Sequence, residues 1–137
     1  MNTRTLLTKD YNNDLALLML RITFGGLLLI DHGIGKISKL MNPPVQFMDF
    51  MGLGPDASLL LVIVAEAICA TLIIIGLGTR LACIPLFINF LVVIFNANAG
   101  KPLAQIELPL IFLLSFIIIF ITGAGKYSFD RMLVKQK

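Results

Sequence analysis

The stretch ASLLLVIVAEAICATLIIIGL at residues 57–77 is an almost unbroken apolar run whose one ionisable side chain is Glu66. About 20 apolar residues in helical form cross the roughly 30 Å of hydrocarbon in a bilayer. Because the run is continuous rather than alternating, it predicts a membrane-spanning helix and not a strand of a membrane barrel. Lipid offers no partners to backbone N–H and C=O groups, so any further spans are expected to be helices as well.

Three more apolar runs accompany this one. The spans are predicted at residues 15–34, 57–77, 81–97 and 103–122, with a long outer loop over residues 35–56. Gly76 and Gly78 predict a short hairpin between the second and third spans. The fold class that follows is an all-α bundle of four transmembrane helices, forming a single domain over residues 1–137.

The composition excludes several other classes of protein. Of the 137 residues, 58% are hydrophobic and 14% are charged, whereas soluble domains average about 45–50% and about 25%. A soluble domain, a disordered chain, a coiled coil and a secreted disulfide scaffold are therefore all disfavoured. Cys69 and Cys83 lie inside apolar runs, and their spacing matches no zinc or iron–sulfur motif, so no metal site is predicted.

The basic residues indicate topology rather than nucleic-acid binding, because they flank the apolar runs. If the spans alternate in direction, the larger set falls on one side: Arg4, Lys9, Arg80, Lys126, Arg131, Lys135 and Lys137. The smaller set falls on the other: Lys36, Lys39 and Lys101. By the positive-inside rule, both termini are predicted to be cytoplasmic, with Tyr11 and Tyr127 as interfacial anchors on that side.

Polar side chains inside the spans are the candidate functional residues. A charge placed at this depth costs at least about 2.5–3.5 kcal/mol on insertion scales. At about 1.5 Å per residue, Arg21 lies about 9 Å along its helix from residue 15, and Glu66 about 16 Å from residue 77. We therefore predict a buried polar cluster of Arg21, Glu66 and Asn89, with Arg21 and Glu66 as a bidentate pair. The cluster is either a structural pair or a ligand site, and the sequence leaves both open.

A second, outer polar cluster is predicted near the opposite face of the membrane, formed by Asp31, His32, Lys36, Asn96, Asn98 and Glu107. His32 is the only histidine, so a haem held by two histidines and a histidine-rich copper or di-iron site are excluded within one chain. No nicotinamide, nucleotide or metalloprotease motif occurs. The sequence thus assigns no catalytic residues and no intrinsic cofactor.

The order of these residues resembles the DoxX family of small four-helix membrane proteins. The resemblance is carried by LALLMLRITFGGLLLIDHGIGKI (15–37), FMGLGP (50–55), AEAICATLIIIGLGTRLA (65–82) and GAGKYSFDRML (123–133). Two departures are Ala124, where the family has proline, and the acidic Asp31 before His32.

The resemblance implies a subunit in the bacterial inner membrane, associated with a quinone-linked redox or oxidative-stress assembly. The cofactor it implies is a quinone, and the partners are the lipid bilayer with either a redox complex or further copies of the chain. Any enzymatic activity would be that of a quinone-linked oxidoreductase of which this chain is a subunit. Two alternatives stay open: a scaffolding protein without chemistry of its own, and an oligomeric transporter of protons or a small solute.

Overall fold

A computed structural model describes residues 13–135 of the chain, and within that range it contains helices and no strands. The four long helices are α1 (Asn13–Leu40), α2 (Pro55–Ile75), α3 (Thr79–Ala97) and α4 (Leu103–Thr122), followed by a short α5 (Phe129–Lys135). Each of α1–α4 is long and apolar enough to cross a membrane. The predicted all-α fold with four spanning helices is confirmed. The cytoplasmic placement of the termini stays a prediction, and Arg4, Lys9, Tyr11 and Lys137 lie outside the described residues.

The first helix is longer than predicted. We expected the span to end at Ile34 and the outer loop to begin at Gly35, but the helix continues to Leu40. Gly35 adopts right-handed helical dihedrals (φ −62°, ψ −34°), so it does not end the helix. The first six residues of the predicted outer loop are therefore helical. The polar residues of this stretch continue the helix, whereas we expected them to end it.

Three of the four long helices contain a π-helical segment, in which each turn holds more residues than in an α-helix. These segments are Leu28–Ile34 in α1, Val64–Cys69 in α2 and Val93–Ala97 in α3. Such segments are rare in proteins overall, but those that occur are often found at functional sites. The segments of α1 and α2 pack against each other, and the second of them carries Glu66.

The chain reverses direction between α2 and α3 within residues 76–78, as the two glycines predicted. Gly76 and Gly78 both adopt left-handed dihedrals, with φ of 75° and 57°. The tail after α4 closes over this turn: the Asp130 N–H donates to the Gly76 carbonyl at 2.8 Å. We call this part of the molecule, residues 76–78 and 123–135, the hairpin end. The opposite part, residues 41–54 and 98–102, is the loop end.

The core runs along the middle of the bundle, while the outer surface is apolar. Fully buried side chains include Leu28, Leu86 and Phe116. Large apolar side chains on the outside are exposed, for example Leu81 at 74% and Phe95 at 73%. Soluble monomers rarely expose extended apolar surface. Together with the four spanning helices, this surface places the protein in a lipid bilayer.

The connection between α1 and α2 over residues 41–54 folds back onto the bundle without forming a helix. Phe47 packs against buried Leu59 and Ile63 of α2. The Phe50 N–H donates to Ser58 Oγ at 2.9 Å, which fixes the connection to the first turn of α2. Met51 points away, with 84% of its surface exposed. One side of the connection is thus part of the protein interior.

Candidate functional site

Three helices are joined by one buried carboxylate. The Lys36 ammonium on α1 forms an ion pair with Glu66 Oε2 on α2. Asn89 Nδ2 on α3 donates to the other carboxylate oxygen, Oε1, at 2.9 Å. Glu66 is 3% exposed and Asn89 is 7% exposed. We call Lys36, Glu66 and Asn89 the Glu66 triad. It gives partners to a carboxylate that would otherwise be an unpaired charge inside a membrane-spanning bundle.

The direction of side chains on helices explains this pairing. Each side chain of an α-helix leans toward the N-terminus of its own helix. Since α1 and α2 run in opposite directions, Lys36 leans from the loop end into the bundle, while Glu66 leans toward the loop end. The two groups approach each other from different levels, which brings the ammonium onto the carboxylate.

The same rule corrects the predicted pair of Arg21 and Glu66, which is wrong. Arg21 leans toward the N-terminus of α1, away from the loop end, and its Nη2 donates to the Tyr127 carbonyl of the tail. It lies next to Gly76, the residue that directly follows α2, ten residues beyond Glu66 and so about 15 Å along the helix direction. The helical rise alone puts Arg21 and Glu66 at similar depths, but their side chains lean in opposite directions along the bundle, which moves the two charged groups apart. Of the predicted buried cluster, Glu66 and Asn89 are in contact and Arg21 is at the hairpin end.

The predicted outer cluster does not form as one group. Lys36 is drawn into the Glu66 triad. His32, one turn earlier on α1, sets its ring edge-on to Phe112 of α4, with ring centroids 6.1 Å apart. It therefore lies within the bundle on the same helix as Lys36 and is packed against an aromatic ring.

The other members of the outer cluster are dispersed. Asn98 accepts a hydrogen bond from Lys101 Nζ at 2.9 Å, within the connection between α3 and α4. The remaining three residues are exposed, and within residues 13–135 they have no side-chain hydrogen bond or ion pair: Asp31, Asn96 and Glu107. The position of each residue in its span predicts its depth in the membrane, but it does not predict whether the side chain faces the other members of the cluster or the outside of the bundle.

An apolar groove of about 190 Å³ lies beside the Glu66 triad. Its walls come from α2, α3 and the connection over residues 41–54, and include Phe47, Phe50, Val62 and Ile88. Asn89 lines it as well, so the groove and the triad share this residue. Sequence reasoning missed the groove because it requires the connection to fold back. The two aromatic residues of that connection, spaced three apart, were the available signal.

Asn89 is the polar group of the groove that is free to bind a ligand. Ser58, the other polar residue of the lining, has its hydroxyl engaged with the Gly54 carbonyl at 2.6 Å and the Phe50 N–H. Asn89 uses one amide hydrogen on Glu66. Its second amide hydrogen and its carbonyl oxygen have no partner among residues 13–135. Asn89 thus retains one donor and one acceptor, and it lines a groove whose other residues, apart from Ser58, are apolar. In the same range, no three His, Cys, Asp or Glu residues lie close enough to hold a metal ion.

Close contact between α1 and α2 depends on a small residue next to the triad. A Cβ added to Gly33 would lie 3.2 Å from the Cα and the Cβ of Ala67 and 3.2 Å from the Glu66 carbonyl oxygen. Small residues at such a position let two membrane helices approach closely. Gly33 therefore sets the distance that Lys36 must span to reach Glu66.

We expect Gly33→Ala to destabilise the protein by about 1–3 kcal/mol, the usual cost of overpacking a well-packed interior. Gly35→Ala is the matched control, because a Cβ there meets nothing within 4 Å. Replacing a helical glycine by alanine in open space should stabilise the helix by up to about 1 kcal/mol. The measurement is unfolding of both variants in detergent. Changes of the same sign and size would contradict the proposed contact.

The overall arrangement defines a class of protein: a polytopic helical membrane protein in which an ion pair and a hydrogen bond on one buried carboxylate link the first three helices. The family model of DoxX matches residues 16–99, which is more than half of the chain, and the chain belongs to the DoxX family. The matched range includes α1, α2, α3 and the Glu66 triad, while α4 and the tail lie beyond it. No curated protein and no solved structure matches the chain.

Proposed function

We propose that this DoxX-family membrane protein binds the ring of a quinone in the groove beside Asn89, as a subunit of a quinone-linked redox assembly in the bacterial inner membrane. The observation that carries the proposal is the position of the groove. It combines apolar walls with two polar residues. One of them, Ser58, has its hydroxyl engaged within the protein, and the other, Asn89, is hydrogen-bonded to a buried carboxylate.

The groove has the chemical character that a quinone ring requires. The ring is flat and apolar, with two carbonyl oxygens that accept hydrogen bonds, and the second amide hydrogen of Asn89 is a suitable donor. The volume of about 190 Å³ is below the roughly 300–1,000 Å³ of sites that enclose a whole drug-sized ligand. It suits one ring rather than an entire quinone. Ile88 and Leu61 line the groove and are 56% and 53% exposed on the apolar surface, so an isoprenoid tail would continue into lipid.

A bound quinone would supply two-electron, two-proton carrier chemistry, and the protein would bind and orient it. Asn89 would fix the ring by donating a hydrogen bond to one of the two quinone carbonyl oxygens. Glu66 Oε1 lies 2.9 Å from Asn89 Nδ2, and the Lys36 ammonium contacts the other carboxylate oxygen. The triad would therefore place two charged side chains close to the ring, with Asn89 between them and the ring; the Glu66 side chain is 4% exposed and that of Lys36 is 21% exposed.

The test is titration of the purified protein with short-chain ubiquinone and menaquinone analogues. We expect saturable binding to the wild type and binding about tenfold weaker for Asn89→Leu, since one hydrogen bond in a desolvated site contributes about 1 kcal/mol or slightly more. Asn96→Leu on the same helix is the control, because Asn96 is exposed and outside the groove. Absence of saturable binding, or equal affinities for the two variants, would rule the proposal out.

A scaffolding role is the second candidate, and it is favoured by the fact that the Glu66 triad ties three helices together. On this view, Asn89→Leu and Glu66→Gln would lower thermal stability while quinone analogues bind neither the variants nor the wild type. Measuring the thermal midpoint of each variant with and without the analogue separates the two functions, because only a ligand site raises the midpoint on addition of the analogue.

A further inference from the structure

A second cavity lies at the hairpin end, far from the Glu66 triad. It is an open cavity of about 650 Å³, lined by the start of α3, the end of α4 and the tail. Three basic side chains line it: Arg80, Lys126 and Arg131. The cavity also borders the apolar spans, since Leu81 and Thr122 belong to its wall.

The two acidic residues in its lining already have partners. Asp14 forms an ion pair with Lys126, at 3.2 Å from Nζ to Oδ2. The Asp130 carboxylate accepts hydrogen bonds from the backbone N–H groups of Gly78 at 2.7 Å and Thr79 at 3.0 Å. Asp130 thus neutralises the positive end of the α3 dipole. Asp14 is paired with Lys126 and also interacts at longer range with Arg131, so the two acids compensate only part of the positive charge of the three bases.

Arg80 and Arg131 are the cations without a carboxylate partner. Within residues 13–135, no carboxylate oxygen lies within 4 Å of either guanidinium. The one side-chain hydrogen bond of Arg80 is a long one, 3.4 Å from Nη2 to the Ile121 carbonyl. Two guanidinium groups therefore border the same cavity with most of their donors free.

A buried hydroxyl without a partner gives an independent indication of a ligand. Thr79 lines the cavity and is 1% exposed, and its Oγ1 has no hydrogen bond. Leaving a hydroxyl buried and unbonded is unfavourable. Among residues 13–135, the other buried side-chain atoms in this state are Nε and Nη1 of Arg21, which also lies at the hairpin end. Unsatisfied donors are thus concentrated at this end of the bundle.

We propose that the hairpin-end cavity binds a phosphate group, carried either by the headgroup of an anionic phospholipid or by a soluble phosphate compound. Arg80 and Arg131 supply planar donor forks, which suit phosphate oxygens, and the Thr79 hydroxyl supplies a further donor. The cavity lies where α3 begins and α4 ends, at the level of lipid headgroups. This site is separate from the groove of the proposed function and does not depend on it.

The experiment compares two probes on the full-length protein in neutral detergent. The first is inorganic phosphate against chloride at equal ionic strength, and the second is phosphatidylglycerol against phosphatidylcholine in mixed micelles. Binding is followed by the rise in the thermal midpoint. We expect Arg80→Gln with Arg131→Gln to weaken binding at least about tenfold, since charge-assisted hydrogen bonds are lost. Lys39→Gln, at the end of α1 next to the loop end, with Lys101→Gln, in the loop end, removes the same charge far from the cavity and should leave the response unchanged.

The outcomes separate the sources of the phosphate. A shift with phosphatidylglycerol alone supports a lipid headgroup, and a shift with inorganic phosphate supports a soluble compound. The proposal is overturned if neither probe shifts the wild-type midpoint, or if both double variants respond as the wild type does.

Thr79→Val is a more specific test, because the proposal expects it to lower the affinity for phosphate without lowering the stability of the unliganded protein. Without phosphate, removal of a buried unbonded hydroxyl should leave the midpoint unchanged or raise it. With the effective probe, the affinity should fall several-fold because a donor is lost. A purely structural threonine would give equal affinities, and that result would remove Thr79 from the site.

Discussion

Lys36→Met is expected to lower the free energy of unfolding by about 3–5 kcal/mol, because removal of one partner from a buried ion pair leaves the other charge uncompensated. Glu66 is 3% exposed, and after the substitution its remaining side-chain partner among the described residues is Asn89. The measurement is reversible unfolding in mixed micelles. Lys39→Met is the matched control: Lys39 is exposed on the same helix, so its replacement should change stability by less than about 0.5 kcal/mol.

The double variant Lys36→Met with Glu66→Met adds a second test. Replacing both members of a buried pair by apolar residues of similar volume is often neutral or stabilising. We therefore expect the double variant to recover most of the stability that Lys36→Met loses. If Lys36→Met behaves like Lys39→Met, the ion pair does not hold α1 against α2.

Gly76→Ala is expected to cause the second large loss. The backbone there is left-handed, with φ of 75°, which costs a residue with a Cβ about 1–2 kcal/mol. The added Cβ would also lie 2.0 Å from Arg21 Nη1 and 2.5 Å from the Cβ of Ser128. Overpacking of this kind costs a further 1–3 kcal/mol or so. The Ser128 segment must then move, and the tail should become sensitive to protease along with the drop in stability.

Gly78→Ala separates the two causes. Its φ of 57° is also left-handed, but a Cβ there meets nothing within 4 Å. It should therefore lose only the backbone part, about 1–2 kcal/mol, and the tail should stay protected from protease. Equal losses for the two alanine variants would show that contact between Gly76 and Arg21 contributes nothing.

The spans could be predicted from the sequence because hydrophobicity acts over a whole run of residues. The apolar stretch around Glu66 is long enough to cross a bilayer whatever its neighbours are. The end of the first helix could not be placed in the same way, because Gly35 fits either a helix or a turn. The helix continues past it in a segment, residues 35–40, that packs against the first part of α2, and the sequence pattern does not contain that contact.

The individual residues of the candidate site could be predicted from the sequence, but the partners with which each of them interacts could not. Glu66 and Arg21 stood out because charges inside a span are costly, and both are indeed buried. Their partners depend on the lean of each side chain and on the fold of distant segments. Arg21 finds a backbone carbonyl in the tail, which carries no signal in the sequence. The groove beside Asn89 depends in the same way on a connection without regular structure.

The bond between Arg21 and the Tyr127 carbonyl joins residues 106 positions apart, and this has a consequence for biogenesis. The guanidinium on the first helix must wait, without its final acceptor, until the ribosome has made and released residue 127. Insertion of α1 therefore precedes its full stabilisation by the time needed to synthesise three further helices. A chain that stops after α4 would leave the buried guanidinium without this acceptor, and we expect such a product to be less stable than the full-length protein.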